Sequence, residues 1–302
     1  MKLSPPLVLA GLAGLAAAAC HPGPRSEPSA PPPAAGHLQW LGGPTALLEH
    51  GGFQVITDPM LGPRGPGAFV LPHHPSTGAA NASIARYTAG ATAPLDQLDA
   101  ILVSHTHADH VDARAAQVLP KRLPLVVAAA GAAAMRAAGF TDVRPLDWGD
   151  SVTLRKPGVE LRVTAVPAHH AHDPALEAEL GRGNGYVLEW HDARGSYRVY
   201  WTGDSVVTDD MTAIATRFGA LDLFLPHLGG VGGDGERGLR TMTAEEAVSA
   251  IAALQPRLVI PIHHTTFSHY REPIAAFEQR TAEAGQAPRV RVLAEGQTAV
   301  LP

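Results

Sequence analysis

Short apolar runs recur along this chain, and four of them stop abruptly at polar residues. Ala100-Ile101-Leu102-Val103 is unbroken by any polar side chain, which predicts a buried strand. Residues 161–166, 199–201 and 258–262 read as further strands. Between them lie alanine-rich stretches of helical composition. One is Ala132-Ala133-Ala134-Met135-Arg136-Ala137-Ala138, which comes after the run Leu125-Val126-Val127 and is closed by Gly139. Another is residues 111–119, directly after the first polar cluster. Strands alternating with helices predict an α/β fold, and no repeat of solenoid length is visible.

The polar residues at the end of the first run carry the chemistry. Ser104-His105-Thr106-His107-Ala108-Asp109-His110 puts three imidazoles and a carboxylate within six residues. Side chains alternate along an extended chain, so His105 and His107 can grip one ion together while Asp109 and His110 face elsewhere. Open α/β sheets place their sites beyond the carboxyl ends of strands.

His-x-His-x-Asp-His after a strand resembles the signature of the metallo-β-lactamase-fold hydrolases. Pro167-Ala168-His169-His170 is similar to the family's Pro-Ala-x-His, which favours His170 over His169 as ligand. Thr202-Gly203-Asp204 stands where the family places a carboxylate shared by two metals. Residues 258–264 resemble the closing motif, with His263 matching the ligand. The opening residues 37–49 and 55–59 look like the first hairpin of the ascorbate-6-phosphate lactonase and N-acyl-phosphatidylethanolamine phospholipase D group. Asp58 matches a carboxylate that orients a ligating imidazole. That group carries a histidine where this chain has Gly43, which removes one contact.

The resemblance implies a four-layer αββα sandwich and two divalent ions. His105, His107 and His170 would hold one; Asp109, His110 and His263 the other; Asp204 would lie between. Zinc suits this imidazole and carboxylate set, and manganese or iron can use the same ligands. A metal-bridging hydroxide would then attack a lactone or ester carbonyl or a phosphodiester. Such a site carries a charge of about +1, which favours a small anionic or polar substrate. A β-lactamase, an iron-dependent oxygenase of the same fold and a non-catalytic metal-binding lipoprotein are the alternatives.

Other polar groups have less support. Asp109 and His227 are the candidates for acting directly in the reaction. His227, in Leu225-Pro226-His227, would stabilise an oxyanion or protonate a leaving group, or else be structural. His264 and His169 would serve similarly or flank the ligands. Residues 62–94, rich in proline and glycine, read as a solvated loop or, with His73 and His74, a substrate wall. Residues 229–235 would be a mobile lid, with Arg237 and Arg240 available to an anion.

The amino terminus speaks of location. Met1-Lys2 precedes an apolar stretch from Leu7 to Ala19, too short to span a bilayer, which reads as a signal peptide. Ala17-Ala18-Ala19-Cys20 resembles a bacterial lipobox, so residues 1–20 would be a lipoprotein leader and Cys20 the acylated residue of an envelope protein. Ordinary cleavage nearby with a free thiol is the other reading. Residues 21–36 read as a proline-rich tether, and residues 37–302 would be the hydrolase domain. Cys20 is the only cysteine, so no disulfide forms within the chain. A formal charge of −5 gives no general basic patch for nucleic acid. Oligomeric state is not legible in these motifs.

Overall fold

Alternation along each buried strand sorts its side chains between two cores. In the computed structural model, which describes residues 1–2, 36–71, 81–90, 92–232 and 238–302, strand β6 (Ala100–Val103) sends Ala100 and Leu102 into one hydrophobic cluster and Ile101 and Val103 into another. This double burial is why that run reads as continuous in the sequence.

Seven strands form the first sheet: β1 (His37–Gly42), β2 (Thr45–His50), β3 (Phe53–Thr57), β6, β7 (Pro124–Ala128), β8 (Asp142–Leu146) and β15 (Thr298–Val300). Their order across it is β15-β1-β2-β3-β6-β7-β8. Six form the second: β9 (Ser151–Lys156), β10 (Val159–Ala168), β11 (Gly183–Asp192), β12 (Gly195–Trp201), β13 (Leu223–Leu225) and β14 (Leu258–Val259). These run in the order β14-β13-β12-β11-β10-β9. Leu38, Leu48, Leu102 and Val126 of the first sheet share a core with Val163, Leu188, Trp201 and Leu225 of the second.

Helices α1 (Ala113–Val118) and α2 (Ala132–Ala137) bring Ala115, Ala132 and Met135 into the cluster of Ile101, Val103 and Val127. Across the molecule, α4 (Asp209–Thr212), α5 (Ile214–Phe218), α6 (Ala244–Leu254) and α7 (Ile274–Glu283) cover Val187, Tyr200 and Phe224. The result is the four-layer αββα sandwich. The short α3 (Pro174–Leu180) lies between β10 and β11.

Strand direction gathers the ligands. β10 and β12 are both antiparallel to β11, and β12, β13 and β14 run parallel. The carboxyl ends of β10, β12, β13 and β14 therefore share one end of the second sheet. At that end the Asn184 amide donates to the Ser104 carbonyl (2.9 Å), joining the second sheet to the residue after β6.

Residues 62–94 depart from the expected loop. Strands β4 (Gly65–Leu71) and β5 (Ala82–Arg86) pair as a separate two-stranded sheet. Phe69 and Ile84 pack on Met60 and Phe267, and this small apolar cluster holds a hairpin that the proline and glycine content had obscured. His73, His74, Arg237, residues 233–235 and residues 3–35, which hold Cys20 and nearly all of the leader and tether, lie outside the described residues.

A buried ion pair ties this hairpin to the frame. Arg86 ends β5 with its side chain 1% exposed, 3.0 Å from Glu295. Its Nη1 donates to the carbonyl of Met60 (2.7 Å), and the Nη2 that meets Glu295 also donates to the carbonyl of Leu41 (3.1 Å). Glu295 also accepts from the Gly90 amide (3.0 Å) and the Thr266 hydroxyl (3.1 Å).

Candidate metal centre

His105 and His107 close the end of β6, and His170 stands two residues beyond β10. His105 Nε2 and His170 Nε2 each lie 3.1 Å from His107 Nδ1. Behind them, His107 Nε2 donates to the Leu180 carbonyl (2.9 Å) and His170 Nδ1 to the Arg240 carbonyl (2.9 Å). Carbonyls only accept, so in the neutral form of each ring the facing nitrogen carries the lone pair. His105 Nδ1 meets the Ser104 hydroxyl (2.9 Å). Burial takes His105 well below the ordinary imidazole pKa and His170 down to about 4. Three imidazoles are thus aimed at one point, the first position.

His169 goes elsewhere. Its Nδ1 meets Glu177 (2.7 Å) and its Nε2 meets Asp210 (2.9 Å). We expect His170→Ala to lose the ion of the first position and His169→Ala to keep it; elemental analysis of the purified variants reads the difference.

The second position is marked by buried nitrogens with nothing to bond. His110 Nε2 and His263 Nε2 have no hydrogen-bond partner, and such groups call for an explanation. Asp204 Oδ1 lies 3.3 and 3.4 Å from them, and Asp109 Oδ2 lies 3.8 and 3.7 Å away. The other Asp204 oxygen, Oδ2, is 3.8 Å from His170 Nε2, so this carboxylate faces both positions. Burial alone would raise Asp204, but His263 and His110 outweigh it and hold the carboxyl well below its usual range. Five imidazoles and two carboxylates converging in this way fit two divalent ions.

Supporting contacts fix the rings. Asp58 Oδ2 sits 2.7 Å from His110 Nδ1, and Asp58 also accepts from the Ser104 amide and hydroxyl (2.7 and 2.6 Å). His263 Nδ1 donates to the Leu228 carbonyl (3.1 Å). Asp58 and His263 have φ of +30° and +61°, left-handed values that cost non-glycine residues about 1–3 kcal/mol each and cluster at functional sites. Gly203 must be glycine: at φ +58°, a Cβ would meet the Asn184 carbonyl oxygen at 2.6 Å and Ser104 Cβ at 2.9 Å.

His227 lies differently from the expectation of a group touching the reacting atoms. It is fully buried, and the Trp201 indole donates to its Nε2 (2.8 Å). Its hydrogen is therefore on Nδ1, donated to Asp204 Oδ1 (2.8 Å). Burial lowers its pKa to about 3, so the ring is neutral and positions Asp204. His264 is buried against Trp40, 4.3 Å between ring centroids. A Cβ on Gly43 would strike the Phe267 ring at 2.6 Å, so Phe267 occupies that space. His269 has no counterpart in the motifs. It is 3% exposed and 3.2 Å from Asp109, on a stretch whose sequence offers no strand or spacing signal.

A cleft of about 280 Å³ opens onto Asp109, Asp204, His107 and His170. Leu71, Leu180 and Val231 give it apolar walls, and Arg240 lines it as well. Arg240 Nε is buried without a hydrogen-bond partner.

The two positions should differ in acid. Burial pulls His110 down, but the carboxylates of Asp204, Asp58 and Asp109 outweigh it and hold the ring well above its ordinary pKa. An ion entering the second position must displace that proton, so its affinity falls as pH falls. Burial leaves His105 and His170 unprotonated into the acid range, to about 4 for His170. Dialysis from pH 8 to pH 4 with elemental analysis should show stepwise loss, the first ion released being the one missing from His263→Ala. Simultaneous loss would contradict this order.

Comparison with known proteins agrees with the geometry. A family model described as "Beta-lactamase superfamily domain" matches residues 54–264. A metal-dependent hydrolase of Anaeromyxobacter sp. (strain K) is 32% identical, covering 69% of this chain and 73% of its own length. An uncharacterized protein of Mycobacterium tuberculosis is 29% identical over 84% of this chain, which spans only 65% of that relative. The crystal structure of a possible metal-dependent hydrolase from Veillonella parvula superposes with a TM-score of 0.73 at 22% identity, covering 89% of this chain and all of the other (100%).

Proposed function

Because the chain belongs to the beta-lactamase superfamily, we propose that it is a metal-dependent hydrolase that uses two divalent ions to open a lactone or ester, or cleave a phosphodiester, in a small anionic substrate. The observation that carries this reading is Asp204, whose two oxygens face the two clusters of imidazole nitrogens. Ions held there, zinc or else manganese or iron, would supply a Lewis acid and a water of lowered pKa.

The chain's own residues do the rest. Carbonyls of Leu180, Arg240 and Leu228 hold the ligating rings from behind. His227 keeps Asp204 oriented through its Nδ1 hydrogen. Leu71, Leu180 and Val231 wall the cleft with apolar surface, and a substrate seated against them would displace water and strengthen the charge interactions inside it. Arg240 supplies a cation on the wall for the substrate's negative group.

Location is part of the same proposal. Residues 1–20 are taken as a lipoprotein leader and Cys20 as the lipidated anchor of an envelope protein, on the strength of the sequence pattern. No described helix is long and apolar enough to cross a membrane.

The test is hydrolysis by the purified full chain of a panel of lactones, phosphodiesters and β-lactams, before and after a chelator. We expect turnover of a lactone or phosphodiester carrying a carboxylate or phosphate, abolished by chelation and restored by zinc. Turnover confined to β-lactams, or unaffected by chelation, would overturn the reading.

A further inference from the structure

His269 reaches the second position from outside the strand-end motifs. Residues 266–268 run beside β5: the Tyr87 amide donates to the Thr266 carbonyl (2.8 Å), and the Ser268 amide to the Ala85 carbonyl (3.0 Å). The Arg271 amide donates to the Gly229 carbonyl (2.7 Å), fixing the far side. Between these anchors the His269 ring is held by Tyr270, 4.5 Å between centroids, and by the edge of Phe69 at 5.4 Å and 82°.

Its Nε2 lies 3.2 Å from Asp109 Oδ2. That same oxygen faces His263 Nε2 (3.7 Å) and His110 Nε2 (3.8 Å), so it is the atom Asp109 offers to the second ion. An ionised carboxylate has no hydrogen to give, which makes His269 Nε2–H the donor. Aspartate χ2 is a broad torsion with little preference of its own, so an unheld carboxylate would wander away from the ion. The first position has no such dependence, because His107 and His170 are held by their own carbonyl partners.

We propose that His269 is a positioning residue for the second metal position: its Nε2–H holds Asp109 Oδ2 in place, and so sets the affinity of that position alone. The inference rests on the two-ion reading above. Partners of this kind, hydrogen-bonded to a ligand, are worth about 10–100-fold in metal affinity.

The experiment compares the full-length chain with its His269→Leu and His269→Gln variants. Zinc is the probe, measured by competition with a chromogenic chelator and by elemental analysis, with circular dichroism to follow the fold. For His269→Leu we expect one ion bound about 10–100-fold more weakly, the other unchanged, and a native spectrum. Glutamine carries an amide N–H that reaches the same oxygen, so His269→Gln should recover most of the loss. Wild-type affinity at both positions in His269→Leu would show that the ring only packs, and would overturn the proposal. Equal loss in both variants would overturn it too, since the ring nitrogen itself would then be the ligand. If His269→Leu fails to fold, His269→Ala, which removes the N–H without placing a larger apolar chain in the site, is read by the same criteria beside His269→Gln. A wild-type chain that binds a single zinc would instead sink the two-ion reading itself.

Discussion

Asp204→Ala should abolish the metal-dependent turnover, with a loss on the order of 10³-fold or more, while leaving the sandwich folded. The size of the effect comes from position. Asp204 Oδ1 lies 3.3–3.4 Å from the nitrogens of His110 and His263, and Oδ2 faces His170. Alanine leaves His227 Nδ1–H without its acceptor and removes the carboxylate that, among the described residues, faces both clusters. The side chain lies beyond the end of β12, outside the inter-sheet core. Circular dichroism should therefore stay native while metal content falls. Asp204→Asn separates charge from shape: it preserves size, and should lose turnover nearly as far. Full activity in either variant would contradict a shared carboxylate.

Glu295→Ala should cost about 3–5 kcal/mol of stability, because it strands a buried guanidinium. Arg86 has its side chain 1% exposed, and Glu295 is its only ion-pair partner among the described residues. The loss also frees the Gly90 amide and the Thr266 hydroxyl; Thr266 Oγ1 in turn accepts from the Gly43 amide (2.7 Å) beside the loop of His263. For a domain of this size the expected drop in melting temperature is about 10 °C, read by urea or thermal unfolding of the chelated protein. Replacing both partners with apolar residues, Arg86→Met with Glu295→Leu, should recover much of it, since breaking a buried pair is worse than deleting it. A melting temperature within about 2 °C of wild type for Glu295→Ala would show that water reaches Arg86.

These two features differ in how far the chain announces them. Asp204 is visible early, because the family resemblance sets the Thr-Gly-Asp at the end of an apolar run in order with the other ligands it implies. Asp58 could be assigned to an imidazole before any coordinates, and it lies 2.7 Å from His110. Arg86 and Glu295 are 209 residues apart, and neither has a local pattern that sets it off from a surface charge. The β4–β5 hairpin was equally hidden: its register depends on Phe69 and Ile84 meeting Phe267 from a distant segment.

By itself the sequence determined the layered α/β class, the donor types and their order along the chain. Each of these is local, since strand alternation, turn residues and the nature of a donor atom are written within a few positions. Only the tertiary structure showed that His169 turns to Glu177 while the favoured His170 faces His107, turned His227 behind Asp204, and brought His269 to Asp109. Those outcomes depend on which ring nitrogen finds a partner across two packed sheets, and residues far apart in the chain decide that.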